Sequence, residues 1–435
     1  MATHRFFFRM ALLAVVAAGL ASEPARAEPP RVVVDEARTA AAGIRKLSGK
    51  HLTLYTDLAS FKEVDELPEV FDQAFLQWCA YFHADPAGLS DWRITAFLIK
   101  DKDLFSGAGL LPTNLPPFAD GYSRGRQFWL YEQPTDYYRR HLLLHEGTHG
   151  FMQTVLGGMG PPWYAEGMAE LMGTHRWKDD RLELGYLPVS REEVPYWGRV
   201  KIVVDDLSAH RGKTLQGVLD YGPTAHQENS PYGWCWAAAT FLERHPRYRK
   251  RFHELIPLVR QRDFNQRFHA LFAADWQQLC EEWQVFVVNL EYGYDVPRMA
   301  IDFQPGRPLP PSGARATVAA DRGWQSSGVR LEAGRSYRLQ ASGRYQVASR
   351  PRTWWCEPGG VTIRYYRGQP LGILLAAVHP DPPGPGSSPL IRPQVVGLDA
   401  TLTPQQAGTL YLRINHSAAE LNDNAGSLTV EIQPQ

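Results

Sequence analysis

The chain has 435 residues, which exceeds the usual length of one domain of about 100 to 200 residues and predicts two or three compact units. Hydrophobic residues make up 44% and charged residues 21% of the sequence, a composition that excludes a disordered, collagenous or coiled-coil chain. The 46 basic residues balance the 46 acidic residues, so no net positive field attracts nucleic acid, and we expect no nucleic-acid partner.

Residues 1–27 have the three parts of a secretory signal peptide. Arg5 and Arg9 precede an apolar stretch at residues 10–21, and Ala25-Arg26-Ala27 places small residues on both sides of a cleavage signal. This apolar stretch is shorter than the roughly 20 residues that a membrane-spanning helix needs. We therefore expect a secreted or periplasmic protein whose mature chain has no transmembrane segment.

The four cysteines are too few and too scattered for a disulfide-framework protein. Cys79, Cys235, Cys280 and Cys356 contain no C-x-x-C pair, and this argues against a cysteine zinc cluster. Buried free thiols are the favoured interpretation, and one disulfide remains open.

The first part of the chain alternates predicted strands and helices. Residues 51–57 alternate like a strand, residues 61–82 follow with helical spacing, and residues 92–99 and 126–131 are further strands. Thr135 then precedes a helix over residues 136–156, which should end at Gly157-Gly158. Further helices are predicted over residues 162–173, 231–244 behind a Ser230 cap, and 276–290.

The composition changes after residue 304. Residues 305–313 are a Pro/Gly linker, and residues 314–435 then show the two-residue alternation of strands. The predicted fold class is therefore an α+β domain over residues 28–304, mainly helical after an initial mixed sheet, followed by an all-β sandwich. The linker composition predicts few contacts across the boundary, so residues 28–304 should suffice for activity.

The helix after Thr135 carries the sequence His145-Glu146-Gly147-Thr148-His149, which is an H-E-x-x-H pattern. Its spacing puts both imidazoles on one helix face, where they can bind one zinc ion, and the glutamate can accept a proton from a metal-bound water. The alternative is an amphipathic helix whose histidines merely face solvent or a polar crevice. Gly147 speaks against it, because a mid-helix glycine costs about 1 kcal/mol relative to alanine and calls for close packing or substrate approach.

A catalytic zinc ion needs a third protein ligand, and the next predicted helix offers two carboxylates four residues apart, Glu166 and Glu170. Here the sequence resembles the gluzincin metallopeptidases, in which H-E-x-x-H is followed on a second helix by a ligand glutamate in a Glu-Gly-x-Ala setting. The resemblance is greatest to peptidase-MA-like bacterial proteins, over residues 45–295. It implies a zincin-like fold and Zn²⁺ as cofactor, with Glu166 as the third ligand. By the same resemblance Glu170 supports a ligand imidazole.

The resemblance also implies a Tyr or His donor that stabilises the oxyanion formed during hydrolysis. Tyr232 is the first candidate and His226 the second, and a packing role for Tyr232 or an exposed loop position for His226 is the alternative. By the same resemblance the predicted strand at residues 126–131 would run beside the cleft and pair with an extended peptide, and an ordinary sheet strand is the alternative. The Gly-x-Met-Glu-Asn stretch of the aminopeptidase N branch is absent from the sequence, so aminopeptidase specificity is not expected.

Residues 322–432 resemble in part the sandwich of the calcium-dependent galactose-binding lectins. The resemblance rests on Gly323-Trp324-Gln325, Pro370-Leu371-Gly372 and the segment from Asn415 to Leu428. Where that family has Asn-Asp, this chain has Asn415-His416, and calcium prefers oxygen ligands to imidazole. A structural or protein-docking sandwich is therefore the favoured interpretation, and binding of calcium or a cell-surface glycan remains open.

Two functions from different classes follow. The first is an exported zinc-dependent peptidase that acts on a peptide or protein substrate, with the sandwich as an accessory part. The second is a secreted binding protein whose metallopeptidase-like domain is an idle scaffold. The complete set of His145, Glu146, His149 and Glu166 favours the first.

Overall fold

The structure is a computed structural model that describes residues 31–224, 228–381, 384 and 386–435. The predicted signal segment lies outside these residues. Within them, no helix combines the length and the apolar composition that crossing a membrane requires. The four cysteines are free thiols, of which Cys280 is half-buried and the others are buried. The preference for free thiols over a disulfide is therefore confirmed.

The first part of the described chain forms a mixed five-stranded sheet. Its strands are β1 (Arg45–Ser48), β2 (Leu52–Thr56), β3 (Ile94–Ile99), β4 (Gly121–Arg124) and β5 (Gln127–Tyr131). They lie in the order β1-β2-β3-β5-β4, with β2, β3 and β5 parallel and the two edge strands antiparallel to their neighbours. Because side chains alternate across a sheet, Leu98 faces the large helical core while Phe97 belongs to a second apolar cluster on the opposite face.

Among the described residues, four α-helices lie before or between the strands of this sheet, and further helices form most of the chain from the end of the sheet to residue 300. They are α1 (Glu36–Ala41), α2 (Lys62–Asp65), α3 (Leu67–Phe82), α4 (Lys102–Gly107), α5 (Asp136–Phe151), α6 (Pro162–Gly173), α7 (Gly198–Ser208), α8 (Leu215–Leu219), α9 (Asn229–Arg244), α10 (Arg249–His253), α11 (Phe264–Phe272), α12 (Trp276–Asn289) and α13 (Val296–Met299). A hairpin of β6 (His175–Lys178) and β7 (Arg181–Leu184) follows α6. The predicted fold class is confirmed.

Three predicted helices differ in detail from the structure. The predicted helix at residues 61–82 is divided into α2 and α3, and Pro68 lies in the first turn of α3, where the missing N–H costs no helical hydrogen bond. The predicted Ser230 cap is wrong, because α9 begins at Asn229 and the Ser230 hydroxyl donates to Asp206 Oδ2. The predicted helix at residues 136–156 is α5 continued by a π-helical turn, Met152–Leu156, and Gly157 ends it with φ at 76°.

The C-terminal region is a sandwich of two antiparallel-rich sheets. Its strands are β8 (Arg307–Pro308), β9 (Ala314–Ala319), β10 (Gln325–Leu331), β11 (Tyr337–Ser342), β12 (Tyr345–Ala348), β13 (Trp354–Cys356), β14 (Val361–Tyr366), β15 (Gln369–Leu371), β16 (Leu374–Pro380), β17 (Gln394–Val395), β18 (Asp399–Leu402), β19 (Gly408–Ile414) and β20 (Ser427–Pro434). The sheet β17-β16-β19-β10-β8 faces the sheet β18-β11-β20-β9. Leu410 and Leu412 of one sheet share a buried cluster with Val430 and Ile432 of the other.

The expectation of few contacts between the helical region and the sandwich is wrong. Trp324 and Leu375 of the sandwich belong to the same buried apolar cluster as the helical region. The buried Glu281 of α12 lies 2.7 Å from Nε2 of His379 and accepts a hydrogen bond from Ser388 Oγ at 3.0 Å. The composition of a Pro/Gly segment indicates only that the connecting chain is irregular. It does not predict whether the two regions on either side of the segment pack against each other.

Candidate metal centre and catalytic cleft

The H-E-x-x-H residues lie in the buried second half of α5. Thr135 begins this helix, because its hydroxyl accepts a hydrogen bond from the Tyr138 N–H at 3.3 Å. The four-residue spacing brings the two imidazoles together on one face, and Nε2 of His145 lies 3.1 Å from Nε2 of His149. The alternative in which the histidines face solvent does not hold, since both are less than 9% exposed.

Glu166 on α6 completes a group of three converging ligand atoms. Its Oε2 lies 3.4 Å from His145 Nε2 and 3.5 Å from His149 Nε2. Ligands that surround a tetrahedral zinc ion at about 2.0 to 2.1 Å lie about 3.3 Å from one another, so these three distances match three corners of such a site. Oε2 of Glu166 is also buried without a hydrogen-bond partner among the described residues. The donor set and its spacing therefore fit a zinc ion.

Two glycines allow the helices of the site to pack this closely. A Cβ on Gly147 would lie 2.5 Å from the Trp78 ring of α3, and a Cβ on Gly167 would lie 2.9 Å from the Cys235 carbonyl of α9. Both distances are shorter than a Cβ tolerates, so α5 and α6 can occupy these positions only with glycine. The prediction that Gly147 reflects close packing is confirmed.

Glu170, one helical turn after Glu166, lies behind the converging atoms and contacts His145 from the other side of its ring. Its Oε1 is 3.1 Å from His145 Nδ1, and it also forms an ion pair with Arg199 of α7. His141, one turn before His145, places Nε2 3.2 Å from Glu170 Oε2. Burial opposes the ionisation of Glu170, but the charges of Arg199 and His141 outweigh it and hold the pKa of this carboxyl well below its ordinary value.

Glu146 points into a cleft of about 490 Å³. Strand β4 forms one wall of this cleft, and a Cβ on Gly121 would lie 2.7 Å from Glu146 Oε1. Burial raises the pKa of Glu146 above its ordinary value, although the neighbouring His145 and His149 oppose this shift. The absence of a side chain at Gly121 therefore leaves room for the Glu146 carboxylate beside β4.

Of the two candidate oxyanion donors, only Tyr232 lies among the described residues. Tyr232 in the first turn of α9 lines the cleft, and its ring centroid lies 5.9 Å from that of His145. Burial and the surrounding carboxylates raise the pKa of Tyr232, so its hydroxyl stays protonated and can donate. His226 lies outside the described residues, and its candidacy stays a prediction.

The strand predicted to run beside the cleft is not the one that does so. Residues 126–131 correspond to β5, which pairs with β3 on one side and β4 on the other. Within the described part of the chain, β4 is the edge strand on this side of the sheet, and Gly121 and Tyr122 of this strand line the cleft. Because β5 is paired on both sides, it is an ordinary inner strand of the sheet.

Two residues of this site were not identified from the sequence. His141 could have been found by extending the helical period one turn before His145, since positions 141, 145 and 149 share a face of α5. No local sequence pattern identifies Arg199. It lies on α7, a helix that was not predicted, and it reaches Glu170 because α6 and α7 pack near each other although they are far apart in sequence.

The sandwich residues quoted for the lectin resemblance are engaged with backbone groups. Asn415 Nδ2 donates to the carbonyl of Tyr366 at 2.9 Å, and the buried His416 ring places Nε2 2.9 Å from the carbonyl of Val347. Asn424 Nδ2 donates to the Ala320 carbonyl, and its Oδ1 is buried without a partner among the described residues. Binding of calcium or sugar by this region stays a prediction.

Comparisons with known proteins give little further information. No family model matches the chain, and no curated protein matches it. One solved structure, described as "EclA N-terminal domain; PllA-like lectin", is 23% identical over a match that covers 28% of this chain and 95% of that chain, with a TM-score of 0.21. At this score the similarity carries no conclusion about what the present chain binds.

Proposed function

We propose that the chain is an exported zinc-dependent peptidase of the gluzincin type. The observation that carries this proposal is the convergence of His145, His149 and Glu166 on one point at the spacing of zinc ligands, with Glu166 Oε2 buried and otherwise without a partner. These residues would hold the ion at the inner end of a cleft that also contains Glu146. Three ligands leave one position for water, as in catalytic zinc sites.

A bound zinc ion would supply a lowered pKa for water, to about 7, and polarisation of the substrate carbonyl. The remaining steps belong to side chains of the protein. Glu146 accepts the proton of the attacking water and delivers it to the nitrogen of the leaving amine. Tyr232 donates its hydroxyl to the oxygen on which negative charge develops.

Glu170 acts on the reaction through His145. By accepting a hydrogen bond from Nδ1, it fixes the tautomer in which Nε2 carries the lone pair that binds a metal. Arg199 and His141 in turn hold Glu170 ionised and in place. This chain of contacts keeps the ligand imidazole oriented.

The substrate that we propose is an extended peptide lying antiparallel or parallel to β4. Edge strands expose unpaired N–H and C=O groups, to which a peptide backbone can add as a further strand. This places the scissile bond beside Gly121 and within reach of Glu146. The proposed signal peptide would deliver the enzyme to the periplasm or the exterior, and the sandwich is a candidate contact to a cell-surface glycan or protein.

Metal removal tests this proposal. Chelator treatment should abolish hydrolysis of a general protein substrate, and a stoichiometric amount of zinc should restore it. If the chain hydrolyses protein equally well after complete removal of metal, the proposed chemistry is wrong. If the zinc-loaded chain hydrolyses no protein or peptide, the alternative of an idle scaffold in a binding protein is favoured.

A further inference from the structure

A second cavity, of about 430 Å³, shares no lining residue with the catalytic cleft. Its apolar wall includes Leu171 and Met172 of α6 and Pro297 of α13, and its polar wall is formed by the C-terminal end of α9 and by α10. This volume lies within the range of about 300 to 1,000 Å³ that small-molecule sites occupy.

Arg244, the last residue of α9, lines this cavity with hydrogen-bond donors to spare. Its Nη2 donates to the carbonyl of Gly185 at 2.5 Å, which uses one of the five N–H groups of the guanidinium. Within the described residues, no carboxylate lies at ion-pair distance from Arg244. The nearby Arg247 and Arg251 differ in this respect, since they pair with Glu282 and Asp275.

The neighbouring carboxylate, Glu243, is already committed to other groups. Its Oε2 accepts from the Tyr81 hydroxyl at 2.7 Å and lies 2.7 Å from His253 Nε2, while Oε1 accepts from Arg249 at 2.9 Å. Arg244 and Arg249 together carry two positive charges against the single negative charge of Glu243. The cavity therefore has an excess of one positive charge.

The guanidinium of Arg244 is half-buried and has no ion-pair partner among the described residues. Burial lowers the pKa of Arg244, the charges of Glu243 and Glu183 oppose this shift, and the charge of Arg249 adds to it. A planar guanidinium with free donors matches the geometry of a carboxylate, which it can bind through two parallel hydrogen bonds. The apolar wall opposite would accommodate a hydrocarbon or aromatic body attached to that carboxylate.

We propose that this cavity binds a small organic monoanion, a carboxylate with an apolar body, through the guanidinium of Arg244. The excess of one positive charge favours a monoanion over a dianion, and the wall of Leu171, Met172 and Pro297 favours an apolar group over a sugar or a free inorganic ion. The site is independent of the proposed peptidase function, because none of its residues belongs to the metal centre.

The test is a ligand-observed NMR titration of the whole chain with 3-phenylpropionate as probe, performed with and without added zinc so that a probe held by a metal is recognised. The uncharged 3-phenylpropanamide and inorganic phosphate are titrated in parallel. Arg244→Gln removes the guanidinium, and Arg244→Lys keeps the charge but not its planar fork. Arg315→Gln is the matched control, because it removes an exposed arginine that pairs with Glu431 in the sandwich. Thermal unfolding establishes that each variant is folded.

We expect the carboxylate to bind the parent chain with a dissociation constant of about 1 mM or below, as is usual for a ligand of this size. Arg244→Gln should weaken this binding by about tenfold or more, Arg244→Lys should weaken it less, and Arg315→Gln should leave it unchanged. The proposal would be overturned if the amide binds as well as the carboxylate, or if only phosphate binds. It would also be overturned if Arg244→Gln and Arg244→Lys both bind the carboxylate as well as the parent chain does. If Arg244→Gln does not fold, the comparison of Arg244→Lys with Arg315→Gln decides.

Discussion

At the residue scale, the two glutamates of α6 have clearly different surroundings. Oε2 of Glu166 faces two imidazole nitrogens and has no hydrogen-bond partner among the described residues. Glu170 is 1% exposed and is bound by Arg199, His141 and His145. Because the Glu170 carboxylate already contacts these partners, it is poorly placed to bind a metal ion, whereas Oε2 of Glu166 is available to do so. Their replacement should therefore have different consequences for zinc.

We expect Glu166→Ala to lower zinc affinity far more than Glu170→Ala. The first change removes a bond to the metal, whereas losing a group that orients a ligand typically costs about 10 to 100-fold. Zinc dissociation constants from competition with a chelator would measure both effects. Glu170→Gln is the matched variant, because it keeps the side-chain shape beside Arg199 and His141. If Glu170→Ala is the metal-free variant and Glu166→Ala retains zinc, the ligand assignment is wrong by one helical turn.

Tyr232→Phe should lower the catalytic rate by about 100 to 1,000-fold, the usual effect of removing one oxyanion donor. Zinc content and substrate affinity should stay close to those of the parent, since the hydroxyl acts mainly in the transition state. Steady-state kinetics on a short peptide would measure the rate, with Tyr365→Phe in the sandwich as control. A parent-like rate for Tyr232→Phe would move the assignment to His226, to be tested by His226→Ala.

The residues of the candidate metal centre could be named from the sequence because they combine a helical period with a family resemblance. His145 and His149 are one turn apart on α5, and Glu166 and Glu170 are one turn apart on α6, while the different roles of the two glutamates came from the resemblance to gluzincins. Arg199 could not be found in this way, because its contact with Glu170 depends on how α7 packs against α6. The packing of α7 against α6 depends on many side chains between the two helices, so no short sequence pattern predicts it.

At the element scale, α5 packs closely against α3 because Gly147 has no side chain. The Trp78 and Phe71 rings of α3 occupy the space that a Cβ would need, at 2.5 and 2.8 Å. Both rings are fully buried and belong to the large apolar core. The helix that carries the H-E-x-x-H residues is therefore positioned by packing rather than by its own helical propensity.

Gly147→Ala should destabilise the protein by about 1 to 3 kcal/mol of unfolding free energy, because the added methyl group overpacks the core. Helical propensity alone predicts the opposite sign, since alanine is the better helix former. Gly107→Ala at the end of α4 is the control, because a Cβ there meets no atom within 4 Å and should be neutral or slightly stabilising. Urea unfolding measures both changes. A neutral effect of Gly147→Ala would show that α3 and α5 can separate without cost.

The bounds of α5 and α6 could be predicted closely, whereas the strand beside the cleft could not. Thr135, Gly157 and Pro162 mark helix ends through local capping and backbone preferences, which the sequence shows directly. The strand β4 reads Gly-Tyr-Ser-Arg and lacks the alternation that indicates a strand. It exists because β5 offers it a pairing edge, and such a tertiary cause leaves no periodic pattern.

At the scale of the whole molecule, the helical region and the sandwich share buried surface. Ser417 Oγ donates to Glu291 Oε1 at 2.7 Å, and the Asp295 N–H donates to the Ala418 carbonyl at 3.0 Å. Trp324 of the sandwich is buried in the same apolar cluster as Trp283 and Phe286 of α12. The division at the linker stays a prediction, but the two regions should stabilise each other.

Cutting the chain near Pro310 should therefore yield a fragment of residues 28–304 that melts at least about 5 °C lower than the whole chain. The cut exposes apolar surface around the position of Trp324, and each fully buried side chain of this kind contributes about 1.5 to 3 kcal/mol. The zinc ligands and Glu146 all precede the cut, so any fragment that folds should still bind zinc. Differential scanning calorimetry and zinc analysis measure both properties. A melting temperature equal to that of the parent would mean that the shared surface contributes nothing to stability.

The central claim is that Glu146 is the general base of a zinc-dependent hydrolysis, and Glu146→Gln tests it most directly. Zinc content and hydrolysis of a general protein substrate are measured side by side for the parent and the variant. The variant should contain as much zinc as the parent, because His145, His149 and Glu166 are intact, while its rate should fall by about 10² to 10⁴-fold, because an amide cannot accept the proton. A variant that retains zinc and hydrolyses protein as fast as the parent would contradict the assignment of Glu146.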